Sequence, residues 1–244
     1  MKFNKIYTSN KQLEVNFLNF NRTIVQDHVA SIGESIKKHG WMGVCTFIYT
    51  NLYSKGYKLY AVDGQHRVSY CTAAGIDYRY EIKEVSTHEE VITLMADLNN
   101  NSSGWFLHDY LNAWVTTGQK SYVNIRKIVN ETRLPLAPLV AIYSKDRIGG
   151  ENSSEFTQPF KRGSFCIKNK ERADFIKDEL VELKKVMKVK DTFMIAFAQF
   201  IIEKRASYDR ARFTRAVKRN LETLNMISSA PDFRSQIAKM YKAA

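Results

Sequence analysis

Along the first hundred residues the spacing of apolar and polar positions changes period several times. Thr23-Ile24-Val25-Gln26 has the form of a capping box, and Val25, Val29, Ile32 and Ile36 then share one helical face until Gly40. Strand-like runs follow at 44–49 and 57–62, with "NLYSKG" between them. The second run breaks at Asp63-Gly64 and turns directly into a helical pattern that stops at Gly75. In "IDYRYEIK", Ile76, Tyr78, Tyr80 and Ile82 alternate with Asp77, Arg79, Glu81 and Lys83, as in a half-buried strand. Thr87-His88-Glu89-Glu90 opens another helix, with Val91, Leu94, Met95 and Leu98 facing inward. Residues 1–104 therefore read as a compact domain built on a small mixed sheet.

From residue 105 the pattern is helical. Helices are predicted near 106–117, 122–132 and 137–144, then, after the loop "DRIGGENSSEFTQPFKRG", near 170–188, 192–204, 208–225 and 232–242. Phe193, Ile195, Phe197, Phe200 and Ile201 make one of these apolar nearly all round, which places it at the centre of a bundle spanning 165–244. The expected fold class is α+β: a mixed-sheet domain over 1–104 followed by an all-helical domain over 105–244.

Charge sharpens that division. The 244-residue chain carries a net charge of +12, and its placement is uneven. Residues 1–100 hold 11 Lys+Arg against 10 Asp+Glu, whereas residues 101–244 hold 26 against 15. An excess of +11 in the second part points to a polyanionic partner, with nucleic acid ahead of a membrane surface. No apolar run reaches membrane-spanning length, and "MKFNKIYTSNKQ" lacks the apolar centre of a signal peptide, so a cytoplasmic location is expected. Cys45, Cys71 and Cys166 are too few and too far apart for a disulfide framework or a zinc site, and are expected to be small buried hydrophobes. No metal site is expected.

The chemistry gathers where a strand becomes a helix, at "YAVDGQHRVSYCTAAG". A helix N-terminus presents unpaired N–H groups and a partial positive charge, which together attract anions. Gly64 allows a tight turn and close approach of a phosphate. Arg67 adds a permanent, forked cation, His66 a further donor, and Gln65 a group that can donate to an oxygen. The pattern has a plain alternative, a turn whose polar residues are only solvated.

"VDGQHRVSYCTAAG", with "FNR" at 20–22, "SIKKHGWMGV" at 35–44 and the strand after Gly75, resembles the ParB/sulfiredoxin-like domain over residues 13 to about 105. In ParB proteins the matching run is Gly-Glu-Arg-Arg before an alanine-rich helix. The resemblance implies a pocket for a nucleoside triphosphate with magnesium, in a DNA-associated protein of a phage or mobile element, hence in a bacterial host. It implies that Arg22 stands for the arginine of the upstream box, and that Gly64, His66 and Arg67 form the phosphate-gripping box. Asn99 and Asn100 of "DLNNNSSGW" fall where the third box belongs, although its arginine is missing here. Sulfiredoxins carry their catalytic cysteine at the position of Gln65, so the thiolate chemistry is unavailable to this chain. ParB proteins carry a glutamate there. Asp63 remains as an acidic group that could serve a metal or act as a base, and equally as a turn residue. An enzyme using Asp63 and His66 (a kinase, triphosphate hydrolase or nuclease) is the competing reading.

In the second part, "SYVNIRKIVNETRLPLAPLVAIYSK" at 121–145 has the outline of a helix-turn-helix unit. Its second helix, "APLVAIYS", is almost wholly apolar and reads as a packing element rather than a base reader. The candidate nucleic-acid surface is instead Arg205, Arg212, Arg215 and Arg219 on one helical face, opposite Phe213, Val217, Leu221 and Leu224. Residues 161–190 add ten Lys+Arg against five acids. No heptad zipper fixes an oligomeric state.

Overall fold

In the computed structural model the described residues are 5–9, 13–40, 43–100, 105–144 and 154–244; the side chains of Asn100 and of 154–156 fall outside the description. The fold is α+β, with a five-stranded mixed sheet in the N-terminal half and helices throughout the C-terminal half. Two compact units divide between Thr117 and Gly118 rather than at 104/105. The helix Leu107–Thr116 (α4) packs on the preceding helix His88–Asn100 (α3), which places it in the first unit.

The sheet runs β1-β5-β3-β4-β2, with β1 at Ile6–Thr8, β2 at Asn16–Phe17, β3 at Cys45–Thr50, β4 at Lys58–Asp63 and β5 at Arg79–Lys83. β3 and β4 form an antiparallel hairpin, while β2 lies parallel to β4 and β5 parallel to β3. The alternation over 76–83 is borne out for Tyr78 and Tyr80, which are buried, but Ile76 is exposed and the strand begins only at Arg79. Leu59 and Ala61 join Cys45, Phe47, Val68, Cys71, Tyr78 and Tyr80 in one core cluster. With a period of two, Tyr60 and Val62 face the other way, and α3 packs on β4. α3 opens with a true capping box: the Glu90 N–H donates to Thr87 Oγ1 and the Thr87 N–H returns to the Glu90 carboxylate.

The helix Gln26–His39 (α1) departs from expectation at its start. Its N-cap is Val25, and no side chain caps it, so the Thr23-to-Gln26 box does not form. α1 packs on the helix Gln65–Ala74 (α2) through Gly33, where a Cβ would lie 2.2 Å from the Tyr70 ring. Glycine is thus required at 33 for space, since Tyr70 occupies the place of a side chain.

The second unit contains α5 (Lys120–Thr132), α6 (Leu136–Ser144), α7 (Ser154–Lys161), α8 (Lys170–Lys184), α9 (Asp191–Lys204), a 3-10 turn at Arg205–Ser207, α10 (Arg210–Arg219), α11 (Leu221–Met226) and α12 (Ala230–Ala243). α9 is the centre of the bundle, packed by α6, α8 and α12, with Phe193, Phe197, Phe200 and Ile201 buried. The helix-turn-helix outline is present in α5 and α6, and α6 is buried from Pro138 to Tyr143 as a packing element must be. Two expectations change. The stretch read as a loop before Gly163 contains α7, and the single helix over 208–225 breaks at Asn220. There the Asn220 amide donates to the Ala216 carbonyl, a side-chain bond that competes with continued helix. Among the described residues no helix is long and apolar enough to cross a membrane.

Candidate functional site

Parallel pairing of β2 with β4 sets the site. The register Asn16↔Tyr60 and Phe17↔Ala61 carries both strands out of the sheet in the same direction, so the segment after β2 emerges beside the turn after β4. Ligands commonly sit beyond the carboxyl ends of parallel strands. Here that position holds Asn21-Arg22 next to Asp63-Gly64.

At the end of β4, Gly64 turns the chain with φ +83°, and a Cβ there would lie 2.5 Å from Cys45 Sγ and 3.1 Å from the Arg67 guanidinium. Both the left-handed conformation and the crowding demand glycine. α2 begins immediately afterwards, with no side-chain cap and no acidic residue in its first turn. Its positive end is therefore not neutralised by its own sequence.

Hydrogen bonds tie the neighbouring segment to β4 and to the start of α2. The Gln65 amide, 7% exposed, donates to the Arg22 carbonyl at 2.8 Å. The Asn21 side chain accepts the Arg22 N–H at 2.8 Å and donates to the Ala61 carbonyl at 3.4 Å. His66 Nε2 accepts the Val25 N–H at 3.2 Å, which requires that nitrogen to be unprotonated and His66 to be neutral. Burial, then the neighbouring His28 and Arg22, lower the pKa of His66 below the ordinary imidazole value, in the same sense. Arg67 is set by an ion pair of 2.7 Å to Asp63 one turn back, and a Cβ on Gly43 would lie 2.8 Å from its guanidinium.

These residues surround a cavity of about 590 Å³, within the range of small-ligand sites. Of the residues singled out from sequence, Arg22, Asp63, Gly64, Gln65, His66, Arg67 and Asn99 line it together. The Asn100 side chain lies outside the described residues. Gln65 has a different part from the one expected: its amide nitrogen holds Arg22 in place. Asn99 donates to the Met95 carbonyl of its own helix at 2.7 Å. Sequence reasoning missed Asn21, Thr23 and His28. His28 stands in the first turn of α1, its ring edge-on to that of His66 with centroids 4.8 Å apart. The available signal was that α1 also starts at this edge, directly after "FNRT".

The lining carries two arginines and two imidazoles. Asp63 is the one carboxylate in the lining and is paired with Arg67. Among the described residues no cluster of three or more His, Cys, Asp or Glu could hold a metal ion. In this lining a magnesium ion would find a single protein carboxylate. The cysteine thiols do not line the cavity: Cys45 packs beneath the turn and donates to the Gly64 carbonyl at 4.0 Å, burial pushes it up to about 12, and burial raises Cys71. Cys166 is exposed, against expectation.

In the second unit the four arginines have different surroundings. Arg205 belongs to the 3-10 turn, not to α10, and forms an ion pair of 2.7 Å with Glu171. Arg212 lies over the Tyr241 ring at 4.7 Å. Arg215 and Arg219 are exposed on α10 without an ion-pair partner among the described residues, beside exposed Lys218. The opposite face packs as read, with Phe213, Val217 and Leu224 buried.

No protein-family model matches the chain, and no curated protein matches it.

Proposed function

We propose that the first unit binds the phosphate groups of a nucleotide in the Asp63–Arg67 pocket, and that the second unit contacts nucleic-acid backbone, as in a ParB-like DNA-associated protein of a phage or mobile element. The observation that carries the reading is convergence. Arg22, His66, Arg67 and the uncapped start of α2 come from separate parts of the chain and face one cavity. Hydrogen bonds fix the Arg22 backbone and the His66 ring, and an ion pair to Asp63 sets Arg67. Exposed Arg215, Lys218 and Arg219 support the second part of the reading.

Binding is favoured over turnover. Asp63 is neutralised by Arg67, and His66 Nε2 is occupied as an acceptor, so neither is free to act as a base in this state. The test is titration of the full-length protein with the four nucleoside triphosphates, with and without magnesium. Arg67→Ala is expected to weaken binding at least about tenfold, equivalent to about 1.4 kcal/mol, while the melting temperature moves by only a few degrees. Equal binding by the variant removes the pocket assignment. Hydrolysis at about 1 per second or faster would transfer the reading to an enzyme.

A further inference from the structure

Arg133 ends α5 in the left-handed conformation, at φ 55° and ψ 28°, with its N–H on the Val129 carbonyl. Among the described residues it is the one non-glycine with a positive φ. A side chain crowds the backbone there, so glycine or asparagine ordinarily closes a helix in this way. Packing does not ask for arginine. The residue is exposed, and among the described residues its guanidinium makes no ion pair and no hydrogen bond. Nor does the negative end of α5 need its charge. Lys184, from the last turn of α8, already covers the Thr132 carbonyl at 2.9 Å and the Arg133 carbonyl at 3.3 Å.

That tether joins the α5–α6 connection to the end of α8, and Lys190 joins the start of α9 to the Asn225 and Ile227 carbonyls at the end of α11. The charges along these connections divide clearly. Lys184 and Lys190 are engaged by carbonyls, Lys185 pairs with Glu182 at 2.7 Å, and Glu131 faces Lys127 at 3.8 Å. Asp191 and Asp232 stand in the first turns of α9 and α12, where the helix dipoles favour a carboxylate. Arg133 and Lys188 are left exposed, without an ion-pair partner among the described residues.

We propose that Arg133, with Lys188, forms a second contact of this unit with the phosphate backbone of nucleic acid, and that arginine occupies a glycine-like conformation for its charge. The inference rests on the reading of the second unit as a nucleic-acid binder, and adds a contact on elements other than α10. Backbone strain of this kind persists where function uses the residue and the surroundings fix the turn, as Lys184 does here. A forked, permanent cation with no internal partner has no bond to give up when it meets a phosphate.

Arg133→Gly in the full chain separates strain from charge, because the two effects have opposite signs. Its melting temperature should rise by about 2 °C as the left-handed strain is relieved. For a labelled duplex, its slope of log affinity against log salt should flatten by about 0.9, and adding Lys188→Ala should flatten it by about as much again. Arg133→Lys should keep both the wild-type slope and the wild-type melting temperature. A melting temperature that does not rise in Arg133→Gly overturns the claim that arginine is held against the backbone's preference. A slope unchanged in Arg133→Gly, but flattened by Arg215→Ala with Arg219→Ala, overturns the second contact and leaves the nucleic-acid reading standing. Wild-type protein that binds no duplex at low salt removes that reading and the contact with it. Binding to phosphatidylserine vesicles in place of duplex would assign the cations to a membrane surface and overturn the proposal.

Discussion

Two regions of this protein carry cations toward solvent, and they are built in opposite ways. Around the cavity of the first unit few charges are present, and contacts distant in sequence fix the backbone and ring beside them: Gln65 on the Arg22 carbonyl and the Val25 N–H on His66, with Gly43 crowding Arg67. In the second unit the charges are many, and much of that charge is engaged internally. Lys184 covers the carbonyls of Thr132 and Arg133 at the end of α5, and Lys190 covers those of Asn225 and Ile227. Arg210 reaches the carboxylate of Glu179, which is 2% exposed and also accepts the Tyr208 hydroxyl at 2.7 Å. Arg234 pairs with Glu203, and Lys185 with Glu182. Net charge alone therefore overstates the surface available to a polyanion, whereas a site of low net charge can be well organised for one.

The largest effect that would break the comparison is at Gly33. Gly33→Val drives two methyl groups into the Tyr70 ring, and should cost about 3 kcal/mol through overpacking between α1 and α2. Because both helices begin at the cavity, anion binding should weaken along with thermal stability, measured by denaturant melts and calorimetry on the same samples. Stability loss without any change in binding would show that the cavity does not depend on how α1 sits on α2.

Next in size is Glu179→Ala in the second unit, which leaves the Tyr208 hydroxyl without its acceptor and should cost about 2 kcal/mol. Here nucleotide affinity should not move. A weakened triphosphate titration in this variant would deny the separation between structural and binding charge.

A smaller change distinguishes the arginines of α10. For duplex DNA, the slope of log affinity against log salt should flatten by about two when Arg215 and Arg219 are both replaced by alanine. Adding Arg212→Ala should change it little further, because that guanidinium is stacked on Tyr241. Fluorescence anisotropy against sodium chloride measures both, and a slope unaffected by the double variant makes the α10 face an ordinary solvated surface.

The smallest effect is a pH dependence of stability from His66. Its folded-state pKa is lowered, first by burial and then by His28 and Arg22, so the unfolded chain binds the proton more readily. The contribution is fully present above the unfolded value of about 6.5, and is lost as pH falls below that value through the folded one. Melting temperatures of wild type and His66→Asn between pH 8 and 5 should converge on the acid side. A constant gap across that range contradicts the assignment.

What the sequence revealed follows the same line. The turn at Asp63-Gly64, the helix after it and the apolar α9 were legible because each rests on local spacing and on glycine. Arg22 entered through its resemblance to a family box, and the structure places it in the cavity lining. His28 and Asn21 were not legible, since their place depends on β2 lying parallel to β4 and on α1 resting against α2, pairings no period encodes. Helical spacing correctly put Arg212, Arg215 and Arg219 together. It had no way to register that Tyr241 would rise under one of them, or that a 3-10 turn would separate Arg205. Gln65 was read as a ligand contact because its partner, a backbone carbonyl 43 residues earlier, leaves no mark in composition.

That separation has a kinetic meaning. The clasp of Gln65 on Arg22 and that of His66 on Val25 each close a loop of more than forty residues, while the β3–β4 hairpin closes over a short one. Chain entropy thus favours the hairpin and α2 early and the cavity late, an order that φ-values near zero at Gln65 and higher values within β3 and β4 would mark. A ligand bound in a cavity that assembles after the folding barrier leaves the folding rate unchanged and slows unfolding instead. The same anion would then set the lifetime of the folded first unit.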